Sequence, residues 1–213
     1  SEHANAGKII GPLQELARLL IDSQRLAEAE QFGRRALELA KDAFGERHVV
    51  VSSALTDYAT IRQCHGDLDG AEKMLREALQ MRRELVGPES ELAVSSLNNL
   101  GCLLYEKGEF DEAAKTFSEA AAVAQRALNP GNWLIASTQS GLAACLAATK
   151  RFEEAERLLL DSYQRLEVAL GAADSRTKQT VRRLVDLYVS WGQIQKSNAW
   201  RERLGNRGSG KQI

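Results

Sequence analysis

Ala29, Ala71, Ala113 and Ala155 stand 42 residues apart, each inside a short segment of the same make: Leu26 to Glu30, Leu68 to Glu72, Phe110 to Ala114 and Phe152 to Glu156. One further step lands on Ser197, inside a weaker copy running from Ile194 to Asn198. The turn residues Gly45, Gly87, Asn129 and Gly171 keep the same 42-residue step, so no insertion or deletion interrupts four copies. A period of this length restricts the chain to a stack of like units. Each unit buries its apolar face against the next, because none can bury it alone.

Each copy reads as two amphipathic helices. The first carries apolar residues at helical spacing, as in Leu13, Leu16, Ala17 and Leu20, or Leu97, Leu100, Gly101 and Leu104. It stops near a turn such as His65-Gly66-Asp67 or Lys107-Gly108-Glu109, where glycine supplies the left-handed cap. The second begins with acidic residues such as Asp111-Glu112 or Glu153-Glu154, which complement the positive end of the helix dipole. Small residues recur beside Leu and Phe knobs, letting helices approach closely by ridge-into-groove packing. The first copy departs from this with Gly33 where a large apolar residue belongs, and the fifth with Lys196 and Arg201.

Composition supports the same class. Ala, Leu, Glu and Arg dominate, prolines number three, and 44% of residues are hydrophobic, which is ample for a core. A net charge of −1 excludes the strong positive field of a nonspecific nucleic-acid or membrane-surface binder. Basic residues do gather from Arg176 onward. Cys64, Cys102 and Cys145 are widely separated and odd in number, against a disulfide framework. No signal-peptide pattern and no apolar run of membrane-spanning length is present. These features lead us to expect a cytoplasmic protein.

From Leu97 to Ala120, the order Leu-x-x-Leu-Gly-x-x-Leu, Gly108, Phe110, Ala113, Phe117, Ala120 resembles the tetratricopeptide repeat signature. The 42-residue period, with a new helix at Val94 to Gly101, is similar to the kinesin-light-chain variety and to repeats of bacterial signalling proteins. The resemblance implies an all-α, right-handed superhelix of about five helix-turn-helix repeats. We place these at about 9–47, 48–89, 90–131, 132–173 and 174–204, after a flexible segment 1–8 and before a disordered tail 205–213. It also implies a concave wall built from the first helix of each pair, which holds a protein or peptide ligand.

The wall-facing stripe is expected one residue beyond the core stripe: Gln14, Arg18 and Ile21; Thr56, Thr60 and Gln63; Asn98, Cys102 and Tyr105; Ser140, Ala144 and Ala147; Arg182, Asp186 and Val189. Asn98 and Asn99 match an Asn pair common in kinesin-light-chain-like repeats. Amides of this kind offer both donor and acceptor to a peptide backbone. The same two residues can instead bridge neighbouring helices, and Arg182 with Arg183 can be an ordinary solvated face. Chaperone-binding relatives grip a terminal carboxylate with Lys, Asn and Arg residues. Only Asn99 matches that set, with Asp57 for an Asn and Ser95 for a Lys, so no such clamp is expected.

Catalytic chemistry finds no purchase in the sequence. Gly205 to Lys211 fits the Gly-x4-Gly-Lys skeleton of a phosphate loop, but no strand precedes it and Gln212 replaces the magnesium-binding hydroxyl. His3, His48 and His65 lack metal-ligand spacing, and surface or capping roles suit them. No cofactor, metal or enzymatic activity is expected, and no nucleic-acid or membrane partner. The leading expectation is a peptide- or protein-binding scaffold. The alternative is a regulatory or oligomerisation module of a larger signalling protein, such as the repeat region of a bacterial serine/threonine kinase. Trp191, Ile194, Trp200 and Leu204 in the last copy appear in sequence as an uncapped end open to self-association.

Overall fold

The computed structural model describes residues 2–205, and the described chain is helical without a strand. Ten helices follow in order: α1 (Glu2–Asp22), α2 (Leu26–Phe44), α3 (Val49–Cys64), α4 (Leu68–Val86), α5 (Glu91–Glu106), α6 (Phe110–Ala127), α7 (Trp133–Ala148), α8 (Phe152–Leu170), α9 (Ser175–Ser190) and α10 (Ile194–Gly205). The odd-numbered helices are the first helices of the sequence repeat and the even-numbered ones the second. The chain divides into two compact units, residues 1–107 and 108–213. The segment expected as a flexible lead-in over 1–8 is helical from Glu2. Of the expected tail only Gly205, the last residue of α10, is described.

In the first unit α1 packs on α2, α2 on α3, α3 on α4 and α4 on α5, with α1 also touching α3. In the second, α6 packs on α7, α7 on α8, α8 on α9 and α9 on α10, with α7 touching α9. The alanine of the repeat explains this closeness: Ala29, Ala71, Ala113 and Ala155 expose no surface at all. Ser197, at the same step in the last copy, is equally buried and donates its hydroxyl to the Val185 carbonyl at 3.4 Å. Beside these alanines the knobs Leu75, Phe117 and Leu159 are buried to 3% or less. Truncating a knob of this kind to alanine costs about 2–5 kcal/mol, so the pattern is a strong constraint on register.

Helices α3, α5, α7 and α9 begin on side-chain caps. Ser90 accepts from the Ala93 N–H at 3.2 Å, Asn132 from Leu134 at 2.9 Å and Asp174 from Arg176 at 2.9 Å. His48 caps α3 through Nδ1, 3.2 Å from the Val50 nitrogen, with its ring stacked on Phe44. The turn after each first helix places one residue in the left-handed region at the 42-residue step: Gln24, Gly66, Gly108, Lys150 and Gly192. That conformation lets two backbone N–H groups close back on the helix end, as Gly66 on Gln63 and Asp67 on Arg62.

The last copy is better covered than its sequence suggests. Trp191 stacks on Phe152 with ring centroids 5.6 Å apart, and Trp200 meets the Tyr163 ring edge-on at 4.9 Å. Lys196 and Arg203 lie over Trp191 and Trp200, at 5.8 and 4.4 Å from the ring centroids. Both indoles are half-buried, and Ile194 is an exposed large apolar residue of α10. The tryptophans expected to be uncovered are half-covered because their rings fold back onto α8, with the two cations beside them.

Candidate functional site

Residues expected on the first-helix wall come together in the first unit. Gln14, Arg18 and Ile21 of α1 and Thr60 of α3 line one cavity of about 370 Å³, together with Asp57 and the small residues Gly11, Ala17, Gly33, Ala36 and Ala54. Four residues expected on the wall therefore share one depression. Gln14 donates through Nε2 to Asp57 Oδ2 at 2.5 Å, and Arg18 pairs with Glu15 at the rim. Asp57 is accessible yet surrounded by protein on most sides. Its carboxyl is pushed above the usual carboxylate range by lost solvation, with the charges of Arg18 and Arg82 and the Gln14 hydrogen bond pulling the other way.

Thr56 differs from expectation. It is buried and turns its hydroxyl back onto the Ser52 carbonyl at 2.9 Å, so Asp57, one residue on, takes the place at the cavity. Ser140 likewise is buried, sharing a hydrogen bond with Thr180 at 2.9 Å and accepting another from Arg183 Nη1 at 2.9 Å. Gln14–Asp57 and Ser140–Arg183 are each 43 residues apart, as is the contact in which Gln63 Nε2 donates to Glu106. These three pairs are rungs tying one first helix to the next. The stripe expected to face a ligand is thus partly spent on holding neighbouring helices together.

Asn98 and Asn99 are half-buried, and the Asn98 Oδ1 is shut from solvent without a hydrogen-bond partner. Cys102 is half-buried and Tyr105 is 36% exposed. Ala144 is buried and Ala147 half-buried, while Arg182, Asp186 and Val189 are exposed on α9. The cysteines differ among themselves: Cys145 is buried as a small apolar filler, whereas Cys64 ends α3 exposed. Lost solvation and the nearby Glu106 raise the Cys64 thiol, opposite to what an activated nucleophile needs. Among the described residues no cluster of three or more His, Cys, Asp or Glu side chains is arranged to hold a metal ion. No helix of the described chain is long and apolar enough to cross a membrane.

One residue escaped the sequence reading. Arg82 on α4 is 4% exposed, and its guanidinium donates to Ser52 Oγ at 3.0 Å and to Ser96 Oγ at 2.7 Å. Burial lowers its pKa, partly offset by the charge of Asp57. The signal was present: Ala40, Ala124 and Leu166 occupy the same place in the other copies, so a charge there breaks the repeat.

Two family models described as tetratricopeptide repeat match the sequence, one over residues 10–84 and 51–126, the other over 135–176. No curated protein matches the chain. Among solved structures, the nearly identical TPR-like repeats of a kinesin light chain-like protein from Podosopora anserina superpose with a TM-score of 0.70 at 17% identity, covering 92% of this chain and 93% of that one. BtubC (BKLC) from P. vanneervenii gives 0.67 at 18% identity, covering 100% of this chain and 93% of that one. The Rap conjugation gene regulator of plasmid pLS20, in complex with the Phr* peptide, gives 0.74 at 14% identity, covering 88% of this chain and 50% of that one.

Proposed function

The chain belongs to the tetratricopeptide repeat family, and from that premise we propose that it is a scaffold that holds a peptide or an extended protein segment on the wall made by its first helices. The observation that carries this reading is the cavity between α1 and α3, where Gln14, Asp57 and Thr60 offer hydrogen-bonding groups above an apolar floor. Few polar groups set on an apolar surface are what an extended ligand needs. Its backbone groups lose water on binding and must find partners, while its side chains supply the buried area.

The fold relatives support binding in general. One is a Rap protein complexed with Competence and Sporulation Factor, and the pLS20 regulator carries the Phr* peptide. Exposed Arg182 and half-buried Asn98 and Asn99 extend the set of candidate contacts beyond the cavity. The cytoplasmic setting expected from the sequence belongs to the same proposal.

Selection of random 12-residue peptides on the immobilised chain tests it. Enriched peptides are expected to lose affinity when the wall is changed by Ile21→Ala with Thr60→Ala, or by Asn98→Ala with Arg182→Glu. Enrichment of nothing, or of peptides indifferent to both pairs of changes, overturns the reading.

A further inference from the structure

In the first copy the packing pattern of the repeat breaks at Gly33, and a cavity lies beside it. Leu75, Phe117 and Leu159 stand 42 residues apart and each fills the space between its own helix and its neighbours. The first copy has Gly33 at that position, and the cavity of about 370 Å³ lies against it. Ile61 refills part of the vacancy: a β-carbon built on Gly33 would stand 2.2 Å from its Cδ1. What remains open is a slot with Ala17, Ala36, Ala54 and Ile61 on its walls. Its volume falls within the range of small-ligand pockets.

The polar groups at this slot are unequal. Glu15 and Arg18 pair with each other at the rim, and the Arg18 charge also reaches Asp57 without a hydrogen bond to it. The Arg82 donors are engaged by Ser52, Ser53, Ser96 and the Leu92 carbonyl, and Arg82 does not line the cavity. Asp57 is the lining charge without an ion pair: Gln14 occupies Oδ2, and Oδ1 accepts no hydrogen bond from the described residues. A carboxylate accepts several donors, and one held in poor solvation gains most from a cation brought to it. A plain apolar side chain would cover Oδ1 without giving it a donor, at the cost of a buried unsatisfied acceptor. An acidic side chain would meet like charge.

We propose that this cavity is the side-chain pocket for a lysine or arginine of the bound peptide, with the methylenes against Ala17, Ala36, Ala54 and Ile61 and the cation on Asp57. The inference rests on the peptide-binding reading above and deepens it. Long basic side chains carry an apolar stem behind a charged head, and the slot presents surfaces in that order. The missing knob at Gly33 creates the room and Asp57 supplies the selectivity.

Peptides enriched on the unaltered chain from the random 12-residue library, resynthesised with each position replaced in turn by norleucine and by glutamate, provide the test. One Lys or Arg position is expected where norleucine weakens binding about tenfold and glutamate more. Asp57→Asn, which keeps the Gln14 hydrogen bond, should weaken the parent peptide by a similar factor yet leave the norleucine peptide unchanged. Gly33→Leu, the residue of two other copies, should exclude the side chain with the same loss, and circular dichroism checks that both variants fold. Absence of any enriched peptide overturns the scaffold reading and this one together. Enriched peptides that depend on the wall but lack a basic position, or ignore both Asp57→Asn and Gly33→Leu, overturn the pocket alone. A dimer in sedimentation that Asp57→Asn dissolves would seat a basic residue of a second copy there and overturn the peptide assignment.

Discussion

Arg82 donates from Nη1 to the Ser96 hydroxyl at 2.7 Å, and no carboxylate among the described residues comes within ion-pair distance of it. The same guanidinium reaches Ser52 Oγ at 3.0 Å, so a buried charge on α4 ties α3 to α5 through neutral partners. A bare cation in such a place is unfavourable, and the hydroxyls make it tolerable. The expected behaviour is asymmetric. Ser52→Ala with Ser96→Ala leaves the charge with its remaining partners, Leu92 O and Ser53 Oγ, both at 3.4 Å, and should lower stability by about 3 kcal/mol. Arg82→Leu removes the charge itself, places in α4 the residue that Leu166 provides in α8, and should change stability by less than about 1 kcal/mol. Urea denaturation of the three chains decides it; equal losses would show that the arginine is a net stabiliser.

Gly141 occupies a fully packed position on α7, where an added β-carbon would stand 2.2 Å from Phe117 Cε1 and 2.4 Å from Cζ. Phe117 exposes no surface. Gly141→Ala should therefore cost about 2 kcal/mol despite the better helix propensity of alanine. Phe117→Leu in the same chain should recover more than half of that loss, which the single variants and the pair measure as a coupling energy.

The periodic part of this fold was legible because four buried alanines and a constant turn step determine where each helix lies. The wall was legible only in part. Spacing places Thr56 and Ser140 with Gln14 on the same stripe, but in the structure both are buried: Ser140 accepts from Arg183 on the next first helix, and Thr56 turns back onto Ser52. Arg182 on α9 is exposed, as the spacing predicts. The cavity depends on Gly33, visible as a departure from the repeat. Which residues close around the missing side chain is a matter of packing that periodicity does not encode. Arg82 was missed because apolar stripes were sought, and a charge on such a stripe reads as noise until Ser52 and Ser96 are seen around it.

Lys150 holds the left-handed turn after α7 with a φ of 64°, the position filled by Gly66, Gly108 and Gly192 in three other copies. A β-carbon in that region is crowded by the backbone, at a cost of about 1 kcal/mol. Lys150→Gly should therefore raise stability by about 0.5 kcal/mol, the gain being reduced by the greater freedom of glycine in the unfolded chain. Gly66→Ala should move the other way by about 1 kcal/mol. The pair of denaturation midpoints checks the sign, and a loss on Lys150→Gly would mean that the lysine side chain contributes more than its backbone costs.

Asp174 joins a helix cap to an ion pair. Its carboxylate accepts the Arg176 N–H at 2.9 Å and the guanidinium at 2.8 to 2.9 Å, while that guanidinium lies 4.1 Å from the centre of the Trp133 ring. The side-chain bond from Arg176 is the main cause that lowers the Asp174 carboxyl to about 2, against partial loss of solvation. An unfolded aspartate titrates near 4. Because the folded value is the lower one, the stabilisation is complete above about pH 4 and is lost as pH falls toward 2. Asp174→Asn keeps an acceptor for the cap but not the charge. It should cost about 1 kcal/mol at pH 7, discounted for solvent access, and the gap from the unaltered chain should close near pH 2. Carbon NMR of the Asp174 carboxyl gives the direct measurement: a midpoint near 2 in the unaltered chain, moving up toward the ordinary range in Arg176→Ala. A gap that persists at pH 2 would assign the stabilisation to packing of the side chain rather than to its charge.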